Sequence, residues 1–241
     1  AITTTGPGAA NTLGAFGEAA TSGSQILLIS SESPIKNRSK EGTRGILHEM
    51  NDQSAIFTPL AKRVSNSGKE LVLAKSTTTA IDAISTVVDF LEFLAQAPTG
   101  AGYIGIPSDI LNQDFTEQVP TPSKNCVDFI NHEKNLEIDQ ELIKKVLEGV
   151  NKIGIWAGGG AQGISEEITK LSEHLKAPIF TSFAGRGVGS ASKNYLTIPI
   201  HEVEAEQVLS QCEALLVFGS QLDGMNTKNW GINFFFFCHI F

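Results

Sequence analysis

The sequence predicts an α/β fold: two open, mainly parallel sheets, each flanked by helices and joined by a linker. Three observations predict it. Short apolar runs alternate with stretches of helical periodicity along the chain. Several of those runs stop at glycine-bearing turns that open the next helix. The alternation breaks once, where Pro120 and Pro122 sit in polar sequence without a sustained period. The chain therefore divides into a domain over 1–111, a linker over 112–138 and a second domain over 139–241.

The elements follow in order. Ile2 to Thr5 is a short β-branched strand that stops at Gly6-Pro7-Gly8, and Ala9 to Ala20 has helical spacing at Leu13, Phe16 and Ala20. Gln25 to Ile29 reads as a buried strand, and the polar stretch from Ser31 to Gly45 as a loop. Ile46 to Leu60 reads as part helix. Thr78 to Ala97 predicts a helix whose core face is Ile81, Ile84, Val88, Leu91 and Leu94. Tyr103 to Ile106 is a short buried strand. Beyond the linker, Asp139 caps a helix with Leu142, Ile143, Val146 and Val150 on one face. Lys152 to Ala157, Pro178 to Thr181 and Ala214 to Phe218 predict strands, with helices over Ile164 to Leu175 and Glu202 to Gln211. Parallel strands linked by helices require right-handed crossovers. Four consecutive phenylalanines, Phe234 to Phe237, read as a buried strand or a damaged coding end.

Composition narrows the function. A formal net charge of -8 without a basic cluster argues against nucleic acid as the main partner. Cys126, Cys212 and Cys238 lie far apart, in no zinc or disulfide pattern, which fits a reducing cytoplasm. No apolar run is long enough to span a bilayer. The N-terminus, without Met and inside a strand, reads as a cut edge.

The glycine turns carry the chemistry. In Thr5-Gly6-Pro7-Gly8-Ala9-Ala10-Asn11, glycine lets backbone approach a ligand closely, and a helix start presents free N–H groups. The plainer reading is an ordinary strand-to-helix turn. Gly158 to Gly163 also satisfies a dinucleotide pattern, yet the strand after it ends in Thr181-Ser182 rather than in the acidic residue that would hold a ribose. There too the glycines can serve tight turns alone.

The spelling and order of these segments resemble thiamine-diphosphate-dependent enzymes of the acetolactate synthase and benzaldehyde lyase type. The first turn is similar to the family's TSGPGATN. Gly42-Thr43 with Ile46-Leu47-His48-Glu49 is similar to its GT…FQE, Thr58 to Lys62 to the segment ending in T-K, and Gly105 to Asp109 to IPxD. Gly158-Gly159-Gly160 and Val217 to Asp223 resemble the GGG and VxGxRxD of the central domain. The resemblance implies that 1–111 is a pyrimidine-binding domain lacking its start and 139–241 a Rossmann-like central domain truncated at its end. It implies Pro7, Gly8 and Asn11 beside the aminopyrimidine of thiamine diphosphate. His48 falls where relatives place a polar group facing substrate, and an imidazole there could move a proton near neutral pH; a surface or capping role beside Glu49 is the alternative. Gly159, Gly160, Gly219, Ser220, Gln221 and Asp223 fall where FAD or ADP would lie, although Gln221 replaces the arginine that would meet a diphosphate. Lys62 reads as a solvated or domain-contact lysine.

The resemblance further implies a lyase or carboligase acting on a 2-oxo acid or aldehyde, as a homodimer or homotetramer when complete. In the family, Mg²⁺ and the diphosphate are held by a GDG…N motif, and a glutamate upstream of the turn activates the coenzyme. Neither is found in this sequence, so no metal ligand is assigned and the chain is expected to be inactive alone. The alternative is a non-catalytic adenine-nucleotide-binding α/β protein.

Overall fold

The computed structural model describes residues 1–38, 45–64, 70–95, 99–124, 126, 140–232 and 237–240. The chain forms two compact units, Ala1–Glu137 and Ile138–Phe241.

The first unit is built on a parallel sheet of order β1-β2-β6-β5. The strands are β1 (Ile2–Thr3), β2 (Ile26–Glu32), β5 (Ala74–Ser76) and β6 (Ala101–Pro107). Every residue of β6 is buried, which explains its unbroken run of small and apolar residues. Between β2 and β5 lies an antiparallel ribbon, β3 (Lys62–Val64) with β4 (Glu70–Val72). The Ala-rich stretch after the first turn is two helices, α1 (Pro7–Ala10) and α2 (Leu13–Ser22). Gly23 ends α2 at φ 72°. The aromatic core joins the layers: Phe57 stacks on Tyr103 with centroids 4.0 Å apart, and Phe16 meets Phe57 edge-on at 5.0 Å. A short α4 (Ser108–Leu111) follows β6.

Helix α3 (Ala80–Leu94) is capped by Thr79, whose side chain accepts from the Asp82 N–H. Its face differs from the expectation. The buried residues are Ala83, Thr86, Phe90 and Leu94, while Ile81 and Leu91 are exposed. Because the helix is apolar on most sides, hydropathy leaves its rotation open. Thr86 can be buried because its hydroxyl bonds the Asp82 carbonyl at 2.6 Å. Ile46 to Leu60 yields one 3-10 turn, Ser54–Ile56, rather than a helix.

Part of the expected linker docks on the first unit. The Ser123 N–H donates to the Asp89 carboxylate at 2.6 Å, and Cys126 is fully buried beside the Asp89 carbonyl. Burial first, then the Asp89 and Glu92 charges, pushes the Cys126 thiol up to about 11. In the second unit burial raises Cys212 to about 11 against the pull of Lys152. At pH 8 each thiol should be ionised to only about one part in a thousand, so both should resist alkylation until the protein is unfolded. Peptide mass mapping after brief iodoacetamide treatment checks this; rapid native labelling at either site would contradict it.

The second unit is a parallel sheet of order β10-β9-β7-β8. It comprises α5 (Gln140–Leu147), β7 (Ile153–Ala157), α6 (Ser165–Leu175), β8 (Ile179–Thr181), α7 (Val203–Leu209), β9 (Ala214–Phe218) and β10 (Phe237–Ile240). Strand β7 alternates its side chains between two cores. Trp156 packs with Phe180, Leu215 and Val217, whereas Ile155 and Ala157 pack with Ile168 and Ile179. Residue Asp139, expected to cap α5, and Phe234 to Phe236 lie outside the described residues. Leu142, expected on the core face of α5, is exposed. Among the described residues no helix is long and apolar enough to cross a membrane.

Candidate active site

The cleft that gathers the expected residues opens at the C-terminal end of β1. A cavity of about 590 Å³ is lined by Pro7, Ala10, Asn11, Gly45, Ile46, His48, Glu49 and Met50. Pro7, Asn11 and His48 thus meet in one place although His48 is far from the first two in sequence. Open α/β sheets receive ligands at this end, beyond the carboxyl ends of their strands.

The backbone is held tightly. Gly6 adopts φ 61°, ψ -118°, a combination reserved for glycine. A Cβ there would lie 2.4 Å from the His48 carbonyl oxygen. His48 itself stands at φ 62°, a costly conformation for a residue with a side chain. The Ile46 N–H donates to the Glu49 carboxylate at 3.1 Å, and the Glu49 N–H closes the turn on the Ile46 carbonyl. This turn presents the exposed His48 imidazole at the cleft. Gly8 does not line the cavity. A Cβ there would meet the Thr4 methyl at 2.4 Å, so glycine lets the turn close onto β1. Lys62 pairs with Glu70 across the β3–β4 ribbon.

Beneath the turn lies a buried polar network that the sequence reading did not single out. Gln53 is 3% exposed. Its Oε1 accepts from the Gly6 N–H at 2.6 Å and the Thr5 hydroxyl at 3.1 Å. Its Nε2 reaches the Tyr103 hydroxyl at 2.7 Å, Ser30 Oγ at 3.0 Å and the Ser31 carbonyl at 3.1 Å. Glu32 is 4% exposed and accepts from Ser76 at 2.6 Å, Arg38 at 2.7 Å and Tyr103 at 3.3 Å. Burial raises the Tyr103 phenol well above its ordinary value, and the Glu32 charge adds to this against the Gln53 hydrogen bond. Tyr103 is therefore a neutral donor to Glu32.

In the second unit, Gly158, Gly159, Gly160, Gly219, Ser220, Gln221 and Asp223 cluster at the carboxyl ends of β7 and β9. The order β10-β9-β7-β8 places the topological switch point between these strands. There the loops close on each other: a Cβ on Gly158 would lie 2.2 Å from the Gly219 carbonyl oxygen, and one on Gly219 2.4 Å from the Ala161 nitrogen. The Gly160 N–H donates to the Gly219 carbonyl at 3.0 Å. A Cβ on Gly159 would meet Ala184 at 3.0 Å. Ser220 Oγ accepts from the Trp156 indole and the Leu222 N–H. The Asp223 carboxylate is engaged by the backbone and side chain of Asn226. Arg186, the nearby loop cation, donates to the Thr197 carbonyl at 2.9 Å. Loop packing accounts for glycine at 158, 160 and 219.

Comparison with known proteins decides the relationship. Residues 141–237 match the family model described as thiamine pyrophosphate enzyme, central domain. The chain is related to thiamine-diphosphate-dependent enzymes. It is 29% identical over 191 residues to a Pseudomonas aeruginosa protein named Probable 2-ketoarginine decarboxylase AruI, covering 76% of this chain and 30% of that one. It is 23% identical over 227 residues to the Probable acetolactate synthase large subunit of Methanocaldococcus jannaschii, covering 90% and 36%. A Mycobacterium smegmatis structure assigned to thiamin diphosphate-dependent enzymes shares the fold, with TM-score 0.70 and 14% identity over 99% of this chain and 41% of that chain. The chain spans about a third of the length of the curated relatives it matches.

The lining of the first-unit cleft is part apolar and part polar. Pro7, Ala10, Ile46 and Met50 offer apolar surface for a flat ring, and Asn11 offers both a donor and an acceptor at its edge. Among the described residues there is no group of three or more His, Cys, Asp or Glu placed to hold a metal ion.

Proposed function

We propose that this chain supplies the pyrimidine-binding side and the central domain of a thiamine-diphosphate-dependent lyase or carboligase acting on 2-oxo acids or related carbonyl substrates. The observation that carries the reading is the meeting of Pro7, Asn11 and His48 in one cleft under a Gly-Pro-Gly turn. Pro7 presents an apolar wall to the aminopyrimidine, and the Asn11 amide satisfies its edge. When bound, thiamine diphosphate stabilises the electron pair left when CO₂ departs from a 2-oxo acid. The His48 imidazole, exposed at the same cleft, donates a proton to the substrate carbonyl oxygen or takes one back. Its left-handed backbone fits a residue held in place for function. Mg²⁺ and the diphosphate are held by residues outside those matched here, in an oligomer of the complete enzyme.

This division of labour has a measurable consequence. If the chain grips only the pyrimidine end, thiamine and thiamine diphosphate should bind it weakly and within about threefold of each other, because no charge-assisted phosphate contact is added. Calorimetric titration with each, with and without Mg²⁺, tests this. A preference above about a hundredfold for the diphosphate, or release of CO₂ from 2-oxo acids by the 241-residue chain, would overturn it.

A further inference from the structure

We propose that Gln53 is the positioning residue of the cleft, fixing the Gly6-Pro7 turn by tying it to the buried Tyr103–Glu32 network. The inference rests on the reading of this cleft as the pyrimidine site. The geometry is two-sided. One end of the Gln53 amide accepts from the Gly6 N–H at 2.6 Å, beside the Pro7 that lines the cleft. The other end points its two N–H donors into the first unit's core, where the Tyr103 hydroxyl, Ser30 Oγ and the Ser31 carbonyl lie within reach and share them. Only a neutral primary amide offers acceptor and donors together in a straight arm of this length. A carboxylate lacks the donors, and a thioether lacks both. Tyr103 is anchored in turn by Phe57 stacking and by Glu32, which Arg38 and Ser76 hold. A residue at φ 61°, ψ -118° has no intrinsic reason to stay there, so the bond from its N–H sets the direction in which Pro7 faces the cleft.

The test uses the 241-residue chain and two readouts: hydrogen exchange of the Gly6 amide, and thiamine affinity. Gln53→Met should speed Gly6 exchange by at least about tenfold and weaken thiamine by about tenfold, while second-unit amides stay unchanged. Gln53→Glu keeps an acceptor for Gly6 but loses the donors into the core, so it should recover only part of either. Should Gln53→Met not fold, Gln53→Asn, one methylene too short to reach Gly6, supplies the same comparison. Unchanged Gly6 exchange in the variant without the acceptor would overturn the assignment, as would equal effects of Met and Glu. If thiamine fails to bind the unaltered chain, the cleft reading falls, and Gly6 exchange still decides the role of Gln53.

Discussion

Replacing Gly105 by alanine should destabilise the first unit by roughly 2–4 kcal/mol, the cost of dislodging a buried, hydrogen-bonded charge. The added Cβ would lie 1.8 Å from Glu32 Oε1 and 2.3 Å from its Cδ. A surface glutamate would swing aside. Here the carboxylate is 4% exposed and held by Arg38, Ser76 and Tyr103, so moving it breaks those bonds. Two controls isolate the cause. Gly102→Ala, in the same strand, meets nothing closer than 3.5 Å and should be far milder. In a Glu32→Ala background the Gly105→Ala cost should fall below about 1 kcal/mol, since the colliding group is gone. Urea unfolding of the four variants gives the answer. An equal cost for Gly105→Ala with and without Glu32 would contradict this account.

Gly6→Ala should remove the cleft and cost about 2–3 kcal/mol, because alanine meets both a forbidden backbone conformation and a collision. The His48 carbonyl oxygen lies 2.4 Å and its Cβ 2.8 Å from the new methyl. Relief by moving His48 would shift the imidazole itself, so thiamine binding should be lost beyond the loss of stability. Gly14→Ala is the contrasting variant: it lies in α2 with nothing within 4 Å, and should stabilise by about 0.5–1 kcal/mol through helix propensity. Thermal unfolding with a thiamine titration separates the two effects. Unaltered binding by Gly6→Ala would remove the turn from the site.

What the sequence revealed follows from range. The parallel sheets were legible because β2, β6, β7 and β9 are short runs rich in apolar residues, punctuated by glycine or proline. Strands β3, β4 and β5 were not: Lys62-Arg63-Val64, Glu70-Leu71-Val72 and Ala74-Lys75-Ser76 are too short and too charged to show a period. The rotation of α3 was misjudged because Thr86 satisfies its hydroxyl inside the helix. In the site, Pro7, Asn11 and His48 were legible through the ordered resemblance of the surrounding motifs. Gln53 and Glu32 carried no local sign. Gln53 finds Ser30 23 positions away, Gly6 47 and Tyr103 50; Tyr103 finds Glu32 71 away. Such a network exists only once the strands are side by side.

The most direct measurement is a titration of the ¹⁵N-labelled chain with thiamine, read residue by residue by NMR. The account predicts shifts centred on Gly6, Asn11 and His48, with Asn11→Ala and His48→Ala each reducing them and the glycine loops at Gly158 and Gly219 undisturbed. Shifts centred on those second-unit loops, or none near Asn11 and His48 at saturating thiamine, would contradict it.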